Sequence, residues 1–247
     1  MRNEEGRRWW KCYRCADPEH YELGDYPSVP KPDRPKQSIL YIDLEISKSL
    51  YFNYARKVPS KYLDPDDLVH EYYVICWVAS YLGSNRIHWG CVTQDDALNW
   101  TDKNILAPLW ELMDSADVIA GHNVDAFDVK RAKTRFFLNN MEPPKRFRTI
   151  DTLKIARTKL ALESNRLDDI SKRLGFRPKD DIRKEDWLRI VKTGDPLTLL
   201  KVLKYCAGDV ESGKAILSSL LGWSEKPIDY GSVTAKYLDT LTIEAMR

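Results

Sequence analysis

The chain has 247 residues, 43% of them hydrophobic, and a formal net charge of +2. That apolar content can fill a core and excludes wholesale disorder, and no run of about 18 apolar residues exists to cross a membrane as a helix. The length suits one large domain with a small appendage.

The small net charge conceals an asymmetry. Residues 38–129 carry 6 basic against 14 acidic side chains, whereas residues 130–204 carry 21 against 10. An acidic half beside a basic half suits a protein that gathers cations in one place and a polyanion in another, with solvated helix faces as the plainer alternative. Five cysteines without a regular framework favour a reduced, cytoplasmic protein over a disulfide scaffold. The opening MRNEEGRRWWKCYRC lacks a secretory apolar core, so export is not expected.

In chain order, residues 1–37 read as a separate arm whose Pro27–Pro35 stretch is an extended linker. Cys12, Cys15 and His20 resemble the first three ligands of a zinc knuckle, with Asp25 where a fourth cysteine would stand. Zinc held there by Asp25 or by a cysteine of the body is one reading. Two unrelated thiols in an arm are the other. Trp9 and Trp10 beside them could stack on bases or anchor the arm.

The ordered body is expected from Ser38. SILYIDLEI reads as a core strand and EYYVICWVASYLG as a second, with a turn at Gly83-Ser84-Asn85 before a third strand, RIHWGCVT. Short turns between these three would make an antiparallel meander. Thereafter ILAPLWELM reads as a helix, DVIAGHN as a short strand, AFDVKRAKTRFFLNN as a helix, RTIDT as a strand and TLKIARTKLAL as a helix. Ser164 or Asn165 could cap a short helix, LDDISKRLG, ended by Gly175. Asp195-Pro196 opens the last long helix, running through LTLLKVLKYCAGDVESGKAILSSLL. The order implies an α/β fold whose mixed sheet has three antiparallel strands, then parallel ones, flanked by helices. The expected boundaries are 1–37, 38–222 and a tail at 223–247.

Asp43 and Glu45 leave the same face of an otherwise apolar strand, where paired like charges are costly unless a cation lies between them or that face is wet. Asp128 closes the segment His122-Asn123-Val124-Asp125-Ala126-Phe127-Asp128 at a strand-to-helix junction. A favourable helix dipole would by itself explain an Asp there. Tyr205 and Asp209 lie four apart, on one helical face, where a local hydrogen bond is the plain alternative.

Taken together, Asp-x-Glu, Asn-x-x-x-Phe-Asp and Tyr-x-x-x-Asp, with gaps of 85 and 81 residues between the successive aspartates Asp43, Asp128 and Asp209, resemble the DEDD (DnaQ-like) 3′–5′ exonucleases. The tyrosine-bearing DEDDy branch, which includes proofreading domains of family B DNA polymerases, is the better match. The histidine branch would carry its His where this chain has Lys204. The resemblance implies a ribonuclease-H-like fold over about residues 38–222. It also implies two divalent ions, Mg²⁺ or Mn²⁺, held by Asp43, Glu45, Asp128 and Asp209, and a water positioned by Tyr205. Leu44 and Phe127 are candidates to wedge a terminal base, or else core residues. His122 and Asn123 could touch substrate or simply satisfy a strand end. Lys130, Arg131, Lys133 and Arg135, then Lys145, Arg146 and Arg148, could hold the phosphates of a single strand.

The implied activity is a stand-alone or trans-acting 3′–5′ exonuclease on single-stranded or frayed DNA ends, with replication or repair proteins such as a polymerase as candidate partners. An exoribonuclease, or a non-catalytic nucleic-acid-binding protein on the same fold, is the alternative.

Overall fold

The computed structural model describes residues 37–52, 63–176 and 182–223. The expected zinc site at Cys12, Cys15, His20 and Asp25, Trp9 and Trp10, the proline-rich linker and nearly all of the carboxyl-terminal tail lie outside the described residues.

Five strands make the central sheet: β1 (Ile39–Ile46), β4 (Val74–Tyr81), β5 (His88–Cys91), β6 (Val118–Gly121) and β7 (Arg148–Asp151), in the order β5-β4-β1-β6-β7. The β1/β4 and β4/β5 pairs are antiparallel and the β1/β6 and β6/β7 pairs parallel, as the sequence order implies. The strand that carries Asp43 is therefore the central one. It is covered on both faces, so its apolar side chains run nearly without interruption: Ile39, Leu40, Tyr41, Ile42 and Leu44 are all buried.

One expectation is corrected. The link between β1 and β4 is no short turn, because it holds a two-stranded ribbon of β2 (Leu50–Tyr51) and β3 (Leu68–His70). Strands this short are below what alternation can register. The β4–β5 link is the compact turn expected, with Gly83 at φ 81.

The helices are α1 (Gln94–Leu98), α2 (Lys103–Ser115), α3 (Asp128–Leu138), α4 (Thr152–Lys159), α5 (Leu167–Arg173), α6 (Lys184–Thr193) and α7 (Pro196–Leu220). The Asp195 carboxylate accepts from Thr198 N at 2.9 Å and caps α7, which then lies across β4 and β1. Ser164 does not cap α5. Its hydroxyl turns instead to Asp169 at 2.5 Å, and Arg166 stands at the cap without a side-chain bond. Gly175 does end that helix, at φ 76. Two helices were not read from the sequence: α1, held by a Thr93–Asp96 capping box, and α6, closed by Gly194 at φ 60.

Candidate active site

The middle of β1, the start of α3 and the middle of α7 meet at one place. Asp43 and Glu45 project from β1 toward α7, which supplies Asp209, and potential ligand atoms of these three residues lie within 4.8 Å of one another. Asp128, the first residue of α3, stands beside this trio: its Oδ1 accepts from Leu44 N at 2.9 Å, between the two β1 carboxylates. The tight bend before α3 is organised by Asn123, at φ 70, whose carbonyl accepts from Ala126 N and Phe127 N.

These carboxylates are electrostatically expensive as they stand. Asp43 Oδ2 is sealed from solvent and has no hydrogen-bond partner among the described residues. Burial, then the charges of Glu45, Asp128 and Asp209, push Asp43 well above the usual carboxylate range. Burial also pushes Asp128 up to about 7, against the opposing hydrogen bonds from Leu44 N–H and from its own. An all-oxygen donor set with an unsatisfied buried oxygen fits a hard divalent cation, which would relieve both desolvation and repulsion.

Tyr205 is half-buried one helical turn before Asp209. Phe127 precedes Asp128 directly, and the Arg131 guanidinium lies 5.7 Å from the Phe127 ring centre and 4.4 Å from that of Tyr72. Lys130 and Lys133 are exposed on α3, and Lys133 Nζ stands 4.8 Å over Phe147.

Other sequence-named residues have structural employment. Arg135, expected to hold phosphate, is buried: it donates to Asp102 at 2.7 and 3.0 Å, and Asp102, 0% exposed, also accepts from Val74 N. Leu44, expected at a base, is 2% exposed in the core on the opposite face of β1 from Asp43, which leaves it no surface to offer. His122 spans Thr152 Oγ1 and Asn165 O through its two ring nitrogens, each at 2.9 Å, so the satisfied-strand-end alternative describes its ring. The Asn123 backbone donates to Asp151 at 2.9 Å. Lys145 reaches the Ser115 carbonyl, Arg148 pairs with Gln37, and Arg146 is exposed.

Asp151 is the residue sequence reasoning passed over. Buried at the end of β7, it caps α4 through Leu153 N and Lys154 N while also accepting from Asn123 N. The signal was available in RTIDT, an Asp directly before a helical period.

A central antiparallel-then-parallel sheet with carboxylates on its middle strand and across a covering helix defines a class, and the family comparison agrees with it. The RNase H superfamily model matches residues 78–221, more than half of the chain, and the chain belongs to that superfamily. The match starts within β4, so β1, with Asp43 and Glu45, precedes it. RNase H-like nucleases use divalent metals, and the acidic cluster is a place where this chain could bind one. Among solved structures, the family B DNA polymerase from the hyperthermophilic archaeon Pyrobaculum calidifontis is similar in fold, with a TM-score of 0.56 at 16% identity. The similarity covers 76% of this chain but 25% of the polymerase chain, so this chain spans about a quarter of that protein. None of the curated proteins matches it. No helix among the described residues is long and apolar enough to cross a membrane.

Proposed function

We propose that this protein is a metal-dependent 3′–5′ exonuclease of the DEDDy type, hydrolysing phosphodiester bonds at the 3′ end of single-stranded or frayed DNA. The reading rests on one observation above all: carboxylates from β1 and α7 converge, with Asp128 alongside, around a buried Asp43 oxygen that no group among the described residues satisfies. Asp43, Glu45, Asp128 and Asp209 would be the ligands. Bound divalent ions would supply a more acidic water and neutralise the phosphate oxygens.

The protein's own groups do the rest. The Tyr205 hydroxyl orients the attacking water from one turn before Asp209, and Tyr205 with Lys204 at the alternative position favours the tyrosine branch. The carboxylates hold their places because Asp128 is tied to the Leu44 amide and Asp209 is built into a 25-residue helix. Half-buried Phe127 and Arg131, with Arg131 backed by the buried Tyr72 ring, offer a surface on which a base can stack, with Asn123 nearby in the bend, and Lys130 and Lys133 meet phosphates. Residues 38–222 form the nuclease unit, which acts alone or beside a polymerase supplied in trans.

The test is purified protein with Mn²⁺ or Mg²⁺ on 5′-labelled DNA and RNA, with and without chelator. A ladder shortening from the 3′ end of DNA, abolished by chelator and by Asp43→Asn, is expected. Shortening of RNA alone would make the enzyme an exoribonuclease. Binding without cleavage under every condition would overturn the reading in favour of a non-catalytic nucleic-acid-binding protein.

A further inference from the structure

Two contacts between α7 and β1 bracket the approach of Asp209 to Asp43. Three residues before Asp209, Cys206 donates its thiol to the Asp43 carbonyl at 3.3 Å. Four residues after Asp209, Gly213 lies against the ring of Tyr41, which sits two residues before Asp43 on the same face of β1. A Cβ at Gly213 would fall 2.0 Å from the Tyr41 hydroxyl oxygen, 2.2 Å from Cζ and 2.6 Å from Cε1. Tyr41 is 1% exposed, so its ring has no open side to swing into. Residues 206, 209 and 213 follow helical spacing, and 41 and 43 follow strand spacing, so the carboxylates and the contacts form one stripe.

We propose that Cys206 and Gly213 are positioning residues, a two-point seat that sets how closely Asp209 approaches Asp43 and so fixes the divalent-ion affinity of the cluster. The inference rests on the metal-dependent reading above. Its physical basis is the tolerance of a coordination site, whose ligands must be held to within about 0.5 Å. Ordinary van der Waals contact begins at 3.4 Å, so one added methyl at Gly213 demands a displacement of about 1.4 Å, well beyond that tolerance. Gly208, next to Asp209 but with nothing within 4 Å of its would-be Cβ, offers a control on the same helix.

The experiment compares the full chain with Gly213→Ala, Gly208→Ala and the double variant Tyr41→Leu/Gly213→Ala. Mn²⁺ affinity is measured by calorimetry and the Asp43–Asp209 spacing by crystallography. Gly213→Ala should widen the spacing and weaken Mn²⁺ binding about 10–100-fold, in the range seen when groups supporting metal ligands are lost. Gly208→Ala should bind as wild type. Tyr41→Leu removes the atoms in the way and should restore both spacing and affinity in the Gly213→Ala background, a rescue that general destabilisation does not give. Unchanged spacing in Gly213→Ala, or lost affinity that Tyr41→Leu does not repair, overturns the seat. If the wild-type chain binds no Mn²⁺, the metal-dependent reading fails while the seat is still judged on the Gly213→Ala spacing. Should Gly213→Ala not fold, Cys206→Val presses on the Asp43 carbonyl from the other contact. The same widening is expected there, and its absence counts against the proposal.

Discussion

Lys214 gives the most direct check on how α7 is anchored. It is 5% exposed, and its ammonium donates to Ser80 Oγ at 2.8 Å and to Ser84 O at 2.5 Å, pinning the helix that carries Asp209 to the end of β4 and the turn beyond. Burial lowers its pKa from 10.5 to about 8, opposed only in part by Glu211. The native state therefore releases this proton before the unfolded state does, so stability rises with pH between about 8 and 10.5. Over the whole window the gain is about 3 kcal/mol, at most about 1.4 kcal/mol for each pH unit. Lys214→Met fills similar space without the charge. The partners it leaves are not orphaned, because Ser80 Oγ still donates to Arg86 O at 2.8 Å and to Ser84 O at 3.3 Å. Met should thus be neutral to stabilising near neutral pH, and the pH-dependent gain should vanish. Urea unfolding of both chains at about pH 7, 8, 9 and 10 measures this. The buried phenols Tyr41 and Tyr73, both raised chiefly by burial, are common to the two chains and cancel in the difference. Wild-type and Lys214→Met curves that stay parallel across that range would refute the argument.

Three further outcomes are expected. Asp43→Ala and Asp209→Asn should each abolish hydrolysis with the fold intact by circular dichroism, and in chelator Asp43→Ala should match or exceed wild-type stability because repulsion is relieved. Arg135→Met should lose about 3–5 kcal/mol in chemical denaturation by stranding buried Asp102, whereas neutralising exposed Lys130 and Lys133 should leave stability unchanged and flatten the salt dependence of single-strand binding. Tyr205→Phe should lower single-turnover rate at saturating Mn²⁺ by about 10–10³-fold with substrate affinity nearly unchanged, and equal rates would remove Tyr205 from the mechanism.

The legible parts of the fold are those where one physical signal dominates. The apolar run from Ile39 to Ile46, interrupted only by Asp43 and Glu45, announces a strand covered on both faces, and β1 is the central strand. Asp195-Pro196 announces a helix start, and Asp195 caps it. What escaped depended on partners distant in the chain. The pairing of Leu50 with His70 crosses 20 residues, and α6 carries one buried residue in its 10, Ile190, too little to stamp a period on KEDWLRIVKT.

The site divides along the same line. Asp43 and Glu45 stood out as charge in an apolar strand, whereas Asp128 and Asp209, each plainly explained when taken alone, were picked out only by the combined motif resemblance, and the fold brings the four side by side. Arg135 was misread because its anomaly is invisible locally: within VKRAKTRFF it is one more basic residue. Only the meeting of α3 with buried Asp102, 33 residues earlier, turns it from a candidate phosphate ligand into part of the core. Gly213 was equally silent, since an interior helical glycine reads as a weak point worth about 1 kcal/mol until Tyr41 is seen to fill the space where its side chain would stand. The difference is one of energy scale. A carboxylate in β1 must be compensated wherever it points, by a cation or by water, so its position alone marks it out, whereas the sense of a small or a basic residue is decided by what the fold brings against it.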